Sequence, residues 1–149
     1  MARDVEKIDH VVVAVKDAEK AMKFFSELLG IEFDEIGEEK DWKFKSFMSS
    51  EGLELLTPTS EDSETAKFIQ KRGEGLFALS FKVTDAEKIA KKAEKMGIRV
   101  IGKIEREGFK EIFLHPKDCF GVQILLTEYK EYHGCTVALK MEKREDKYI

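Results

Sequence analysis

The tetrapeptide Asp-Ala-Glu-Lys occurs twice in this chain, at 17–20 and 85–88, and the residues around each copy follow one plan. Before the first copy runs Ile8-Asp9-His10-Val11-Val12-Val13-Ala14-Val15; before the second runs Leu76-Phe77-Ala78-Leu79-Ser80-Phe81-Lys82-Val83. The first helical run closes at Leu29-Gly30-Ile31 and the second at Met96-Gly97-Ile98. The shared tetrapeptide sets the alignment: Val15 matches Val83, Asp17 matches Asp85, and His10 therefore matches Ala78. A duplicated strand–helix unit brings equivalent positions toward a shared site. Ala in place of His then removes a polar group from one half of that site.

Periodicity extends the plan to the rest of the chain. In the first strand Val11, Val13 and Val15 point one way, and Ile8, His10, Val12 and Ala14 the other. Ala18, Met22, Phe25 and Leu29 form a helical stripe that Gly30 closes, and Ala86, Ile89, Ala90, Ala93 and Met96 form its counterpart, closed by Gly97. Thr84 and Glu87 have capping-box spacing. Three strand-like runs follow each helix: 31–36, 42–49 and 53–57 in the first half, 98–104, 109–114 and 122–128 in the second. The fold class expected is α+β, two tandem βαβββ modules forming a curved eight-stranded sheet with an open cleft and helices on the convex side. The chain is read as a single domain: module one at about 5–60, a connecting helix at about 61–74, module two at about 75–129, and a C-terminal tail at 130–149. The first and last strands of each module would line the cleft.

Composition narrows the function. The 149 residues can bury a full core, and 26 basic against 30 acidic residues, interspersed, leave no basic stripe for nucleic acid. No apolar run reaches the ~20 residues a membrane helix needs, and the N-terminus goes straight into charged residues without a secretory pattern. Cys119 and Cys135 lack metal-site spacing and read as free thiols of a reducing cytoplasm. Charged residues at 38%, with no Asn and Gln only at 70 and 123, suit a heat-adapted surface of ion pairs.

On the fourth strand Glu54 interrupts an apolar run and shares a face with Leu56. Aligning Glu54-Leu55 with Leu125-Leu126 pairs Glu54 with Leu125, which then shares a face with Gln123 and Thr127. At these residues the chain resembles the vicinal oxygen chelate (glyoxalase, bleomycin-resistance and dioxygenase) superfamily, and within it the methylmalonyl-CoA epimerase branch. The resemblance lies in Ile8-Asp9-His10, Glu54-Leu55-Leu56-Thr57-Pro58, the 60–73 segment, and Phe113-Leu114-His115-Pro116-Lys117-Asp118-Cys119 with Gly121-Val122. It spans about residues 7–129.

The resemblance implies a divalent metal held by four residues, which fall here on His10, Glu54, Ala78 and Leu125. Two donors are present and two are replaced by carbon. His10 and Glu54 thus form a partial site that would hold an ion only weakly, since open catalytic sites usually keep three protein ligands. The last-strand Glu that the family is expected to use as both ligand and base is a leucine. Gln123, Thr127 and the tail residue His133 could supply other donors, and His115 has a structural role by resemblance. An alternative is that His10 and Glu54 simply satisfy one another as buried polar groups. The outward lysines of the second helix, Lys88, Lys91, Lys92 and Lys95, read as solvated surface. Phe120 stands where the family has Gly.

Two functions remain open. One is a binding protein or divergent enzyme whose apolar cleft, lined by Ile8, Val12, Leu76, Ala78 and Leu125, takes a small ligand such as an acyl-CoA or a small carboxylate. It would need no cofactor, and no catalytic residue is assigned. The other is an epimerase or lactoylglutathione-lyase type of isomerase or lyase with a rearranged metal site. By resemblance the chain would be a homodimer.

Overall fold

The computed structural model describes residues 3–130. The expected tail, including His133 and Cys135, lies outside the described residues apart from Lys130. Both βαβββ modules form. The first comprises β1 (Val5–Ala14), α1 (Ala18–Leu29), β2 (Phe33–Glu39), β3 (Phe44–Ser49) and β4 (Leu53–Pro58). After α2 (Glu64–Arg72) come β5 (Gly75–Val83), α3 (Ala86–Lys95), β6 (Val100–Arg106), β7 (Phe109–Leu114), a 3₁₀ turn at Pro116–Asp118 and β8 (Gln123–Tyr129). Among the described residues no helix is long and apolar enough to cross a membrane.

The repeated tetrapeptide marks the helix starts. Asp17 caps α1 by accepting from the Lys20 amide, and Asp85 caps α3 by accepting from Lys88. Thr84 is therefore not the cap that its spacing to Glu87 suggested. Its amide and hydroxyl both go to the Asp4 carbonyl, while Glu87 binds Lys103. Gly97, at φ 82°, ends α3 with paired bonds from Ile98 to Ala93 and from Gly97 to Glu94. The strand run expected from Ile31 starts only at Phe33, because Gly30, at φ 68°, must first turn the chain out of α1. β1 begins three residues earlier than its hydrophobic alternation suggested.

The chain divides into two compact units whose borders cut across the modules, inside β1 and β5. One unit runs from Val11 to Phe77; its strands lie in the order β2-β3-β4-β1, with β1 and β4 parallel. Its core is Val15, Ala18 and Leu55, with Val13, Met22, Phe25, Phe33, Phe47 and Leu53 packed around them. The other unit joins the chain up to His10 with Ala78 onward, and orders its strands β5-β8-β7-β6, with β5 and β8 parallel. Here α3 lays Ala86, Ala90 and Ala93 on Val83, Ile112, Leu114 and Leu126. Small residues on the helix let it approach the sheet closely, while the β-branched and leucine side chains beneath fill the space. β2 and β6 each carry a register shift at a glycine, Gly37 and Gly102.

In both units the helix covers one sheet face. The alternate residues therefore belong to the other face: Val12, Ala14, Glu54 and Leu56 in one unit, Ala78, Ser80, Gln123, Leu125 and Thr127 in the other. Lys88, Lys91, Lys92 and Lys95 of α3 are solvent-exposed, as their pattern suggested.

Candidate functional site

Strand register establishes which positions of the two modules correspond. Val12 lies opposite Glu54 between β1 and β4, and Ser80 lies opposite Leu125 between β5 and β8. Val12 and Ser80 are repeat equivalents, so Glu54 and Leu125 are too, as the alignment of the last strands assumed. Ala78 pairs with Gln123 and is 6% exposed, as is Leu125. Both are buried carbon on the face that α3 does not cover.

Glu54 is half-buried and accepts a hydrogen bond from the Ser46 hydroxyl at 2.8 Å, both residues lying in the Val11–Phe77 unit. His10 falls in the other unit and is 4% exposed. Its Nδ1 is 2.7 Å from an Asp9 carboxylate oxygen, and the Tyr129 hydroxyl donates to the other oxygen of Asp9. His10 Nε2 lies 4.0 Å from Oε2 of Glu111. Glu111 in turn accepts from the Thr127 hydroxyl at 2.7 Å, and Thr127 meets the Ser80 hydroxyl at 2.6 Å. Among the described residues no buried side-chain polar atom lacks a partner, as expected where each orphan would cost about 1–3 kcal/mol.

The electrostatics follow from this chain of contacts. Burial pushes the Asp9 carboxyl up, but the His10 hydrogen bond and charge, with the Tyr129 hydroxyl, outweigh it and hold it below the usual carboxylate value. The ionised form of Asp9 is thereby fixed beside the ring, orienting Nδ1 and leaving Nε2 toward Glu111. Lys82 lies over the Tyr129 ring at 4.3 Å and binds Glu6 at 3.1 Å.

Of the residues singled out from sequence, Ala78, Gln123, Leu125 and Thr127 share a face as expected. Thr127 is tied to His10 through Glu111. Ile8 and Leu76, expected to line an apolar cleft, are 58% and 74% exposed, whereas Val12 is buried. His115 caps the 3₁₀ turn through Nδ1, which accepts from the Lys117 amide at 3.1 Å, so its role is local. Phe120 adopts the left-handed φ of 57° with its side chain fully exposed, a conformation that suits glycine. Cys119 is a buried free thiol, its pKa raised by that burial and by the Asp118 charge.

Sequence reasoning passed over Asp9, Glu111, Ser80 and Tyr129 as site residues. A signal existed for Glu111: it interrupts the apolar face Phe109, Glu111, Phe113, just as Glu54 interrupts its strand. Among the described residues no group of three or more His, Cys, Asp or Glu side chains could hold a metal ion. The Asp9 bond orients the His10 ring as a carboxylate commonly does behind a metal-bound histidine, so the departure from the donor set that the family implies lies in the buried carbon at Ala78 and Leu125.

The chain belongs to the Glyoxalase/Bleomycin resistance protein/Dioxygenase superfamily, whose model matches residues 7–126. Within it, the chain is related to methylmalonyl-CoA epimerases. It is 33% identical over 129 residues to the mitochondrial methylmalonyl-CoA epimerase of Mus musculus, covering 82% of this chain and 72% of that one. An ethylmalonyl-CoA/methylmalonyl-CoA epimerase of Cereibacter sphaeroides is 30% identical over 144 residues, 91% of this chain and 98% of its own. A variant of Streptomyces coelicolor methylmalonyl-CoA epimerase, solved in complex with 2-nitronate-propionyl-CoA, superposes with a TM-score of 0.77 at 30% identity, covering 85% of this chain and 99% of that one.

Proposed function

We propose that this chain is an epimerase-like protein that binds a small acyl-CoA or carboxylate-bearing ligand around a degenerate metal site, and that it is not a standard metal-dependent epimerase. One observation carries the reading: Ala78 and Leu125 put buried carbon at two of the four positions where the resemblance expects donors, and the pairings Val12 with Glu54 and Ser80 with Leu125 support that alignment. The ligand class comes from the related epimerases, one of which is solved with an acyl-CoA analogue. Half-buried Gln123 then offers polar atoms on an otherwise apolar face, while the buried Ser80 and Thr127 hydroxyls are taken up by one another and Glu111. The chain is expected to pair into a homodimer by the same relationship, which light scattering would report as twice the 17.1 kDa chain mass.

The second reading is an epimerase or glyoxalase-type lyase with rearranged ligands. It is favoured by the near full-length match to the Cereibacter sphaeroides enzyme.

Metal content separates the two. The untagged protein is dialysed against cobalt or zinc and its bound metal measured, with His10→Ala alongside. Less than a tenth of an equivalent supports the degenerate site; stoichiometric metal lost in His10→Ala supports the rearranged one.

A further inference from the structure

Glu111 is a buried acid that none of the four expected donor positions accounts for. It projects from β7 on the face away from α3, and the Thr127 hydroxyl holds it at 2.7 Å, backed by Ser80. Cross-strand pairing sets Glu111 opposite Thr127 and Phe113 opposite Leu125. The acid therefore stands one strand over and two residues along from the position where Leu125 withholds a carboxylate, roughly 5 Å across and 7 Å along. Burying an acid costs desolvation, and an apolar residue of similar volume would often serve stability as well or better. Phe113, two residues on and on the same face, shows that the strand accepts such a residue.

The surroundings of Glu111 are also ordered for one geometry. Thr127, itself met by the Ser80 hydroxyl, donates to its Oε2, and His10, whose ring is bound by Asp9, lies 4.0 Å from the same oxygen. A group held by its neighbours in this way needs no reorganisation when a proton moves.

We propose that Glu111 removes and returns the proton at the acidic carbon of a bound 2-carboxyacyl thioester, replacing from β7 the base absent at Leu125. This rests on the ligand class proposed above. In the step the C2–H bond breaks, its electron pair moves into the thioester carbonyl as an enolate, and the proton passes to the Glu111 carboxylate. Return of a proton from Glu111, after exchange with solvent, re-forms the C–H bond. Thr127 is a positioning residue for this group.

The test uses the full chain, stripped with a chelator, and methylmalonyl-CoA in deuterated buffer, with deuterium at C2 followed by mass spectrometry and binding by calorimetry. The stripped protein is expected to bind the thioester and accelerate exchange over buffer. Glu111→Gln, which still offers Thr127 an acceptor, is expected to bind equally and lose exchange by about 100-fold or more. Thr127→Val, which keeps the carboxylate, is expected to lose about 10-fold in rate with binding unchanged, and decides the matter should Glu111→Gln not fold. Binding without exchange, exchange that needs added cobalt, or a Glu111→Gln or Thr127→Val rate within threefold of the parent overturns the role of Glu111 and leaves the ligand reading standing. Failure to bind methylmalonyl-CoA at all removes that ligand reading, and this proposal with it.

Discussion

If the proposed degenerate site is right, placing donors at the two carbon positions, in the double variant Ala78→His/Leu125→Glu, should make divalent cations stabilise the chain where they leave the parent unchanged. Both positions are 6% exposed and lie in the same unit as His10. Without metal, the new carboxylate at 125 would sit between Ser80 and Phe113 with no cation to face it. An unpaired buried charge costs about 3–5 kcal/mol, which for a chain of this size lowers the melting midpoint by roughly 6–20 °C. With His10, the variant offers three protein ligands, the number an open site usually keeps. Cobalt or zinc at a hundred times its dissociation constant would return about 2.7 kcal/mol, or roughly 5–11 °C. Circular dichroism melts of parent and variant, each with and without metal, measure both quantities. The reasoning is refuted if metal raises the parent's midpoint as much as the variant's, or leaves the variant's unchanged.

Three further outcomes test the surrounding structure. Asp9→Ala removes the acceptor of both His10 Nδ1 and the Tyr129 hydroxyl, so urea denaturation should show a loss of about 2–5 kcal/mol, against about 1 kcal/mol for Tyr129→Phe. Phe120→Gly relieves a left-handed residue whose side chain makes no buried contact, and should stabilise by about 1 kcal/mol in the same assay. The Asp118 carboxyl is held well below the usual range by Arg99, so the folded state binds that proton less readily than the unfolded chain. Its stabilisation is full above about pH 4 and fades as pH falls further. Arg99→Ala should therefore flatten the acid limb of the stability curve, and an unchanged slope between pH 4 and 2 would count against the pair.

Much of this architecture was readable before any coordinates, because its signals are local. Two copies of one tetrapeptide carry the aspartates that cap α1 and α3, and helix caps are decided within four residues. Alternation along a single strand told which residues share a face, and the repeat then equated His10 with Ala78 and Glu54 with Leu125. Where local reading failed, a distant partner had intervened. Thr84 looked like a cap until the Asp4 carbonyl, 80 residues away, claimed its amide.

The amino-acid order alone thus determined the duplicated modules and the pairing of His10 with Ala78 and of Glu54 with Leu125, since both depend on periodicity and on comparing one half with the other. Only the tertiary structure decided that Asp9, His10, Glu111, Thr127, Ser80 and Tyr129 form one buried polar chain. Tyr129 donates to a residue 120 positions away, and Glu111 approaches a histidine about as distant. Alternation gives the face each side chain occupies, but the pairing register between strands gives its neighbours, and that register is fixed by the packing of a whole sheet against its helix.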